Sequence, residues 1–356
     1  MFGFSAFKKN SMFFFSPCFH LHKKNHYFRF SLNQICRLKI CLRNYLPFTV
    51  KSSKKFLVFD QNAKKKQRLR AAFDKIEAKK ADYLKKEVAK RLVERLMFIK
   101  KKTKVIFDFG SGAGYIASCL SQEKNKDQFL GKIERLIMAD VSEDVFDDDN
   151  LSNICDFIVE KVYINNEIPS FSENSMDIVI TNLYIHWIND LLGLLKQIKY
   201  ILVPDGVFLG SMFGGDTLFE LRTSLQFAEQ ERKGGIGARV SPMADIQDIG
   251  SLLSKVGFKL ITIDVEDIIV DYPDIFSLMK DLQKMGENNA IITRPHIISR
   301  DVLFAAEAIY REFYGNENGT LPCTFRVIYM IAWKPSPNQS LPLERGTGKI
   351  NLKDLL

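Results

Sequence analysis

Three glycines, spaced two residues apart, follow an acid in residues 105–115, Val-Ile-Phe-Asp-Phe-Gly-Ser-Gly-Ala-Gly-Tyr. The acid is Asp108, and the glycines are Gly110, Gly112 and Gly114. Apolar residues surround the acid and a helical apolar pattern follows the last glycine, which predicts a buried strand that turns sharply into a helix. Glycine permits positive φ and close approach of a ligand, and the free N–H groups at a helix start can receive the ligand's anionic end.

The spacing and charge of this loop narrow the class of ligand. The dinucleotide fingerprint is G-x-G-x-x-G, whereas the third glycine here comes one residue earlier. A buried carboxylate at Asp108 would repel a pyrophosphate but would attract the ammonium group of an amino acid. The loop therefore favours S-adenosylmethionine over NAD, with Ser111 and Tyr115 as further contacts. A glycine triplet alone is equally consistent with a tight turn that binds nothing.

Polar residues after the next predicted strands are candidates for contacts to the rest of the cofactor. Asp140 ends the second strand, where an acid can accept hydrogen bonds from both ribose hydroxyls, although a lone Asp there is also typical of a helix cap. Asn165 and Asn166 follow the third strand, and their amides can donate to and accept from an adenine edge, with an ordinary asparagine-rich loop as an equal alternative. The expected cofactor contacts outside the loop are Asp140, Val141, Asn165, Asn166, Asn182 and Leu183.

Two later segments contain candidates for catalysis and substrate binding. His186 follows the fourth predicted strand and could act as a base, and Trp187 beside it could contact the substrate. A single histidine next to a tryptophan is, however, more often a packed and hydrogen-bonded residue. After the fifth strand, Asp216 is a second catalytic candidate, and Glu220 and Arg222 could face a cationic or peptide substrate. A solvated helix surface is the alternative interpretation of these three side chains.

Alternating strand and helix patterns surround these residues. They predict an α/β fold of the Rossmann-like kind, with a mostly parallel seven-stranded sheet, helices on both faces, an amino-terminal helical segment and a helical insertion. The last two strands are expected to form an antiparallel edge pair. The predicted strands are 105–109, 133–139, 154–163, 176–182, 206–212, 258–264 and 324–333, and the predicted helices are 115–122, 191–201, 274–285 and 300–314, with helical material over 60–98.

Charge is distributed unevenly along the 356 residues, which carry a net charge of +9. The first 59 residues contain no Asp or Glu, which is typical of a mitochondrial transit peptide; a basic tail that touches nucleic acid or lipid is the alternative. The apolar runs there are too short to span a membrane. The predicted organisation is a transit peptide over 1–55, a helical lid over 56–102, a cofactor-binding domain over 103–335 and a loosely ordered tail over 336–356.

Six cysteines occur without any C-x-x-C pair. This pattern indicates neither a zinc site nor a disulfide framework, so we expect no metal and a reducing compartment.

The ordered motifs resemble those of class I S-adenosylmethionine-dependent methyltransferases. More narrowly, several strings resemble the family of mitochondrial complex I assembly factors described as arginine hydroxylases. The strings are 58–62, 82–88, 183–191, 212–222 and 281–287, of which 212–222 is the most specific. The resemblance implies a matrix protein, peripheral to the inner membrane, that binds S-adenosylmethionine, has no nucleic-acid partner and hydroxylates an arginine in the iron–sulfur subunit beside the quinone site during complex I assembly.

Two alternatives remain open at this point. The same layout resembles the methyltransferase that esterifies malonyl carrier protein in biotin synthesis, and a chaperone that keeps the cofactor only for stability is a third reading. Hydroxylation needs an oxidant, and the sequence contains no H-x-D motif of the non-haem iron type. Asn165 and Asn166 also stand where relatives usually carry an acid, which leaves the adenine contacts open.

Overall fold

The computed structural model describes residues 57–99, 103–122, 133–141, 145–146, 157–164 and 167–337, together with residues 339 and 346. The predicted transit peptide over 1–55, the pair Asn165 and Asn166, and most of the predicted tail lie outside the described residues. In the described part of the chain, no helix is long and apolar enough to cross a bilayer.

One sheet of seven strands organises the described residues. The strands follow the order β3-β2-β1-β4-β5-β7-β6, and β7 runs antiparallel to both neighbours whereas β1 to β5 are parallel. This arrangement confirms the predicted parallel sheet with an antiparallel edge pair. The strands are β1 (Val105–Phe109), β2 (Arg135–Asp140), β3 (Ile158–Tyr163), β4 (Met176–Thr181), β5 (Leu202–Phe213), β6 (Lys259–Tyr272) and β7 (Leu321–Trp333).

Nine α-helices accompany the described strands. They are α1 (Gln61–Phe73), α2 (Lys75–Ala81), α3 (Tyr83–Leu96), α4 (Tyr115–Gln122), α5 (Leu191–Ile201), α6 (Phe219–Lys233), α7 (Ile246–Val256), α8 (Ile275–Lys284) and α9 (Arg300–Tyr314).

The helices divide into two sets that bury two separate apolar clusters. The larger cluster contains apolar residues of α3, α4, α6, α8 and α9, and the smaller contains those of α5 and α7. Both clusters include side chains from the central strands, which are nearly continuous apolar runs, as expected for strands covered on both faces. The two clusters therefore confirm helices on both faces of the sheet.

The edge strand β6 is longer than the predicted strand 258–264. It pairs with β7 as far as Tyr272, and exposed and half-buried residues alternate along it. Acids such as Glu266 and Asp267 interrupt the apolar pattern there, so the second half of the strand lacks the continuous apolar run on which the prediction depended. Helix α7, which the sequence analysis did not predict, repeats Ile249, Leu253 and Val256 on its buried side.

The amino-terminal segment forms three helices with different roles. Helix α3 is part of the core, since Val88 and Leu92 are fully buried. The only buried residue of α1 is a lysine, Lys64. Asp60 caps α1 by accepting a hydrogen bond from the Ala63 amide at 3.0 Å. The predicted lid therefore consists of a core helix, α3, preceded by two more exposed helices.

Asn189 fastens the beginning of this segment to the sheet. Its Oδ1 accepts hydrogen bonds from the amides of Val58 and Phe59, both at 2.9 Å. Its Nδ2 donates to the carbonyl of Phe59 at 3.1 Å and to Oε1 of Glu167 at 2.9 Å. This contact fixes the chain just before α1.

Candidate cofactor site

The glycine loop takes the conformation that its sequence predicts. Gly110, Gly112 and Gly114 have φ of +75°, +56° and +83°, a region that side-chain-bearing residues rarely adopt. The Gly110 amide donates to the carbonyl of Ala139 at 2.8 Å, which holds the loop against the end of β2. A Cβ on Gly110 would lie 2.2 Å from Cγ of Tyr184, so no other residue fits there without displacing that ring.

Asp108 is a fully buried acid without a protein partner. Neither carboxyl oxygen has a hydrogen-bond partner among the described residues. Burial, with a smaller contribution from the charge of Asp140, raises the pKa of Asp108 to about 8. A buried polar group without a partner destabilises the protein, and its persistence here suits a site where a bound cation completes the contacts.

Asp140, at the end of β2, is also buried but has several donors. Its side chain accepts hydrogen bonds from the Gly112 amide at 3.0 Å and the Val141 amide at 2.7 Å. Arg68 of α1 donates from Nη2 to Oδ2 at 2.5 Å, and its guanidinium lies 4.7 Å from the centre of the Tyr184 ring. The acid predicted to bind a ribose is therefore paired with an arginine that the sequence analysis did not single out.

Arg68 lines two cavities that lie on either side of it. The first, which we call the loop cavity, has a volume of about 760 Å³ between the glycine loop and α1 to α3. The second, the edge cavity, has a volume of about 660 Å³ and is bounded by Val141, Ile164, Glu167 and Tyr184. An elongated ligand would place its amino-acid end in the loop cavity, its sugar at Asp140 and its flat ring in the edge cavity. Such a ligand would pass through the position where Arg68 now contacts Asp140.

The structure places the remaining predicted cofactor residues on the loop cavity or the edge cavity, apart from the two asparagines outside the described residues. Ser111, Tyr115, Asn182 and Leu183 line the loop cavity, and Val141 lines the edge cavity. The Asn182 side chain is already oriented, because Nδ2 donates to the Lys85 carbonyl at 3.0 Å and Oδ1 accepts from the Ser211 hydroxyl at 3.1 Å. The predicted residues of β1, β2 and β4 therefore meet at one edge of the sheet.

A second group of buried polar side chains, which the sequence analysis missed in part, lies beside the loop cavity. Glu287 Oε2 accepts a hydrogen bond from Nε1 of Trp187 at 2.7 Å and lies 3.3 Å from Nε2 of His186. Lys64 Nζ lies 3.4 Å from the same oxygen and 3.4 Å from the centre of the Trp187 ring. We call Lys64, His186, Trp187 and Glu287 the Glu287 cluster.

Burial and charge act in opposite directions within this cluster. Burial alone would raise the pKa of Glu287, but the charge of Lys64 and the contact with His186 lower it below its usual value. Burial lowers the pKa of Lys64 to about 7 despite the charge of Glu287. Burial also lowers the pKa of His186, which favours the neutral ring. The cluster therefore contains a firmly ionised acid next to a lysine whose charge is weakly held.

The sequence contains no signal for two members of this cluster, Lys64 and Glu287. Lys64 is the single buried residue on a helix whose other charged residues are at least partly exposed, but burial cannot be read from a lysine-rich pattern. Glu287 follows the end of α8, where Gly286 has φ of +74° and turns the chain. The sequence identified His186 and Trp187 as candidate site residues. The structure shows both side chains packed and hydrogen-bonded, which agrees with the alternative interpretation of His186.

The three rim residues predicted for catalysis and substrate binding have other partners. Asp216 pairs with Arg326 at the surface. Glu220 is buried and accepts hydrogen bonds from the Thr324 hydroxyl at 2.5 Å and the Thr324 amide at 3.2 Å. Arg222 donates to the Gly215 carbonyl at 3.0 Å, which holds the turn between β5 and α6. None of Asp216, Glu220 and Arg222 lines the cavities described here, so their predicted roles depend on the sequence alone.

A third cavity opens on the far side of Glu287. This rim cavity has a volume of about 1190 Å³ and is lined by Trp187, Glu287 and residues of α6, α8 and the segment after α8. Glu287 lines both the loop cavity and the rim cavity. Among the described residues, no group of three or more His, Cys, Asp or Glu side chains is arranged to hold a metal ion.

The strand order, the antiparallel β7 and the glycine loop at the end of β1 together define the class I methyltransferase fold. The family described as "Methyltransferase domain" matches residues 80–263, which is consistent with that assignment.

Comparison with characterised sequences places the chain more narrowly. It is 42% identical over 298 residues to "Arginine-hydroxylase NDUFAF5, mitochondrial" of Homo sapiens, covering 84% of this chain and 83% of that protein. The protein of the same name from Dictyostelium discoideum is 41% identical over 88% of this chain and 72% of its own length. A "Malonyl-[acyl-carrier protein] O-methyltransferase" of Methylovorus sp. (strain MP688) is 31% identical over 78% of this chain and 92% of its own. The chain belongs to the mitochondrial arginine-hydroxylase family of methyltransferase-fold enzymes.

Proposed function

We propose that this chain binds S-adenosylmethionine across the carboxyl edge of the sheet. The observation that carries the proposal is the orphaned carboxyl of Asp108, which would gain a partner in the ammonium group at the methionyl end. In this arrangement the ribose hydroxyls bind Asp140 after Arg68 moves aside, and the adenine enters the edge cavity. When bound, the cofactor supplies a cationic sulfonium with an activated methyl group.

We further propose that the chain acts in the mitochondrial matrix, at the inner membrane, as an arginine hydroxylase of complex I assembly. Its substrate would be an arginine of the iron–sulfur subunit near the quinone site. The identity to the mitochondrial arginine hydroxylases supports this role. Hydroxylation inserts one oxygen atom into a C–H bond; with dioxygen as the oxygen donor it also consumes two electrons and two protons and releases water. In this proposal the chain's own residues bind the cofactor and position the arginine.

The charges around the rim cavity support a cationic substrate. Both arginines that line this cavity already have acidic partners: Arg239 is 2.6 Å from Glu229, and Arg294 is 3.3 Å from Asp60. A carboxylate such as a malonyl group would need an available cation there. The alternative function, methyl transfer to a carrier-bound carboxylate, is supported mainly by the similarity to the Methylovorus enzyme.

One experiment separates these functions. Cells that express only the Gly112→Val variant, in which a branched side chain enters the cofactor loop at positive φ, are compared with wild-type cells by mass spectrometry of complex I subunits and carrier proteins. We expect one arginine of the iron–sulfur subunit to lose a single oxygen atom. Loss of a methyl group elsewhere would support the alternative function, and failed assembly with both marks intact would support a chaperone role.

A further inference from the structure

Glu287 lies at the point where the cofactor site and the rim cavity meet. Its side chain is 8% exposed and lines both cavities. All the described donors of the cluster converge on Oε2: the Trp187 indole at 2.7 Å, His186 at 3.3 Å and Lys64 at 3.4 Å. None of the described hydrogen bonds uses Oε1. The carboxylate is therefore held in place by one oxygen while the other remains available to a ligand.

Lys64 is a loosely held partner for this acid. Its ammonium lies 3.4 Å from Oε2 but only 2.6 Å from the carbonyl of Gly286, so the backbone contact is the closer one. Lys64 can keep its hydrogen bond to Gly286 when another cation displaces it from the Glu287 carboxylate. Burial brings the pKa of Lys64 down to about 7, so its charge is easily given up at neutral pH.

A guanidinium group would satisfy Glu287 better than this lysine does. Arginine stays charged when buried and presents a planar fork that can bind both oxygens of a carboxylate. The cluster also offers the flat Trp187 ring, over which Lys64 now lies at 3.4 Å. Aromatic faces attract cations and stack on guanidinium groups.

We propose that Glu287 is the residue that binds the guanidinium group of the substrate arginine, which enters through the rim cavity and takes the place of Lys64 on the carboxylate. This inference rests on the proposed arginine-directed function and deepens it by naming the group that recognises the side chain. It places the arginine against the wall that the rim cavity shares with the loop cavity, next to the proposed methionyl end of the cofactor.

Tryptophan fluorine NMR can test this directly, because the chain contains only two tryptophans. Protein carrying 5-fluorotryptophan is titrated with N-acetylarginine methylamide, and the Trp187 signal is followed while Trp333 serves as the internal reference. The Trp333→Phe variant assigns the two signals. We expect a saturable shift of the Trp187 signal, and about tenfold weaker binding of the neutral isostere N-acetylcitrulline methylamide, since charge-assisted hydrogen bonds are the stronger ones.

Three variants locate the binding group. Glu287→Gln should weaken binding of the arginine probe about tenfold or more, because it removes the charge and keeps the shape. Glu220→Gln is the matched control, since Glu220 is a buried glutamate bonded to Thr324, and it should bind the probe as wild type does. Lys64→Met should tighten probe binding severalfold, because it removes the competing cation. The Trp333 signal and thermal unfolding report whether each variant folds.

The outcomes are distinct. Equal binding of the arginine and citrulline probes, or wild-type binding by a folded Glu287→Gln variant, would overturn the inference. A larger loss in Glu220→Gln than in Glu287→Gln would overturn the inference and move the recognition site to α6. Absence of S-adenosylmethionine binding in calorimetry would contradict the proposed function instead. The probe titration does not depend on that result, because it follows the Trp187 signal without cofactor.

Discussion

Asp108 and Glu287 both have buried side chains, yet their pKa values shift in opposite directions. Burial acts to raise both. For Asp108, which has no hydrogen-bond partner, it does so, to about 8. For Glu287, Lys64 and His186 reverse the effect and lower the pKa. The comparison shows that partners, more than depth, decide the charge of a buried acid. In our proposals, Asp108 gains a cation from the cofactor, and Glu287 exchanges Lys64 for the guanidinium group of the substrate.

The largest effect is expected from Asp140→Ala, which tests whether the acid beside the glycine loop binds the ribose. The variant loses the acceptor for two ribose hydroxyls, and two charge-assisted hydrogen bonds of about 1.5–3 kcal/mol each predict S-adenosylmethionine binding at least about 100-fold weaker. Isothermal titration calorimetry measures this.

The control for that prediction is Asp177→Asn. Asp177 accepts hydrogen bonds from the amides of Lys104 and Val105, at the opposite end of the sheet. It should change stability without changing affinity. Equal affinity of Asp140→Ala and wild type would remove the ribose contact from the proposal.

The next effect concerns Asp108→Asn, which removes the orphaned acid but keeps its shape. Without the carboxylate, the ammonium group of the cofactor loses its counter-charge, and we expect S-adenosylmethionine to bind about tenfold more weakly, as one buried charge contact would predict. Calorimetry at constant pH measures the loss. Wild-type affinity in this variant would show that the cofactor's ammonium binds elsewhere.

The same variant should be the more stable protein without cofactor at alkaline pH. The folded-state pKa of Asp108 is raised to about 8, so the folded state holds a proton that the unfolded state releases above about pH 4. The free energy of unfolding therefore falls as the pH rises from about 4 to about 8. Asparagine lacks this loss. The Tm difference between Asp108→Asn and wild type should therefore grow from pH 5 to pH 8.5. A difference that stays constant with pH would contradict the shifted pKa.

A smaller effect of opposite sign is expected from Arg68→Gln. Arg68 pairs with the acid that we assign to the ribose, and the pair is largely buried. Removing Arg68 removes a competitor for that acid, so S-adenosylmethionine should bind about threefold to tenfold more tightly. Stability without cofactor should fall, because Asp140 loses a partner. Arg70→Gln, on the exposed side of the same helix, is the matched control. Weaker binding in Arg68→Gln would mean that Arg68 itself contacts the cofactor.

The smallest effect is expected from Asp216→Asn, which tests the predicted catalytic role of the rim. The Asp216 side chain is 64% exposed and paired with Arg326, and an exposed ion pair contributes at most about 1 kcal/mol. The arginine probe should therefore bind within about twofold of wild type, since Asp216 lies on no described cavity. A tenfold loss in the fluorine NMR titration would return Asp216 to the substrate site.

What the sequence predicted correctly is local in the chain. The turn from β1 into α4 depends on neighbouring residues, and the acid at the end of β2 follows from strand order. The sequence therefore predicted the positions of Asp108, Gly110 and Asp140 in the fold, whereas their roles as cofactor contacts stay a prediction. The contacts that complete the site join residues far apart. Arg68 reaches Asp140 across 72 residues and Lys64 reaches Glu287 across 223. No periodicity encodes such pairs, and a lysine-rich helix gives no sign of which lysine is buried.

Asn189 holds Val58 and Phe59 in place immediately before α1, so these hydrogen bonds help to position that helix. Lys64 and Arg68 lie on α1, which begins immediately after these residues. Lys64 contacts Glu287 and Arg68 contacts Asp140, two acids on which the proposed site depends. A truncation that removes Val58 and Phe59 would remove these hydrogen bonds and weaken the attachment of the start of that helix. The segment that begins at Val58 therefore contributes to the proposed site indirectly, because it anchors the helix whose two cations contact Asp140 and Glu287.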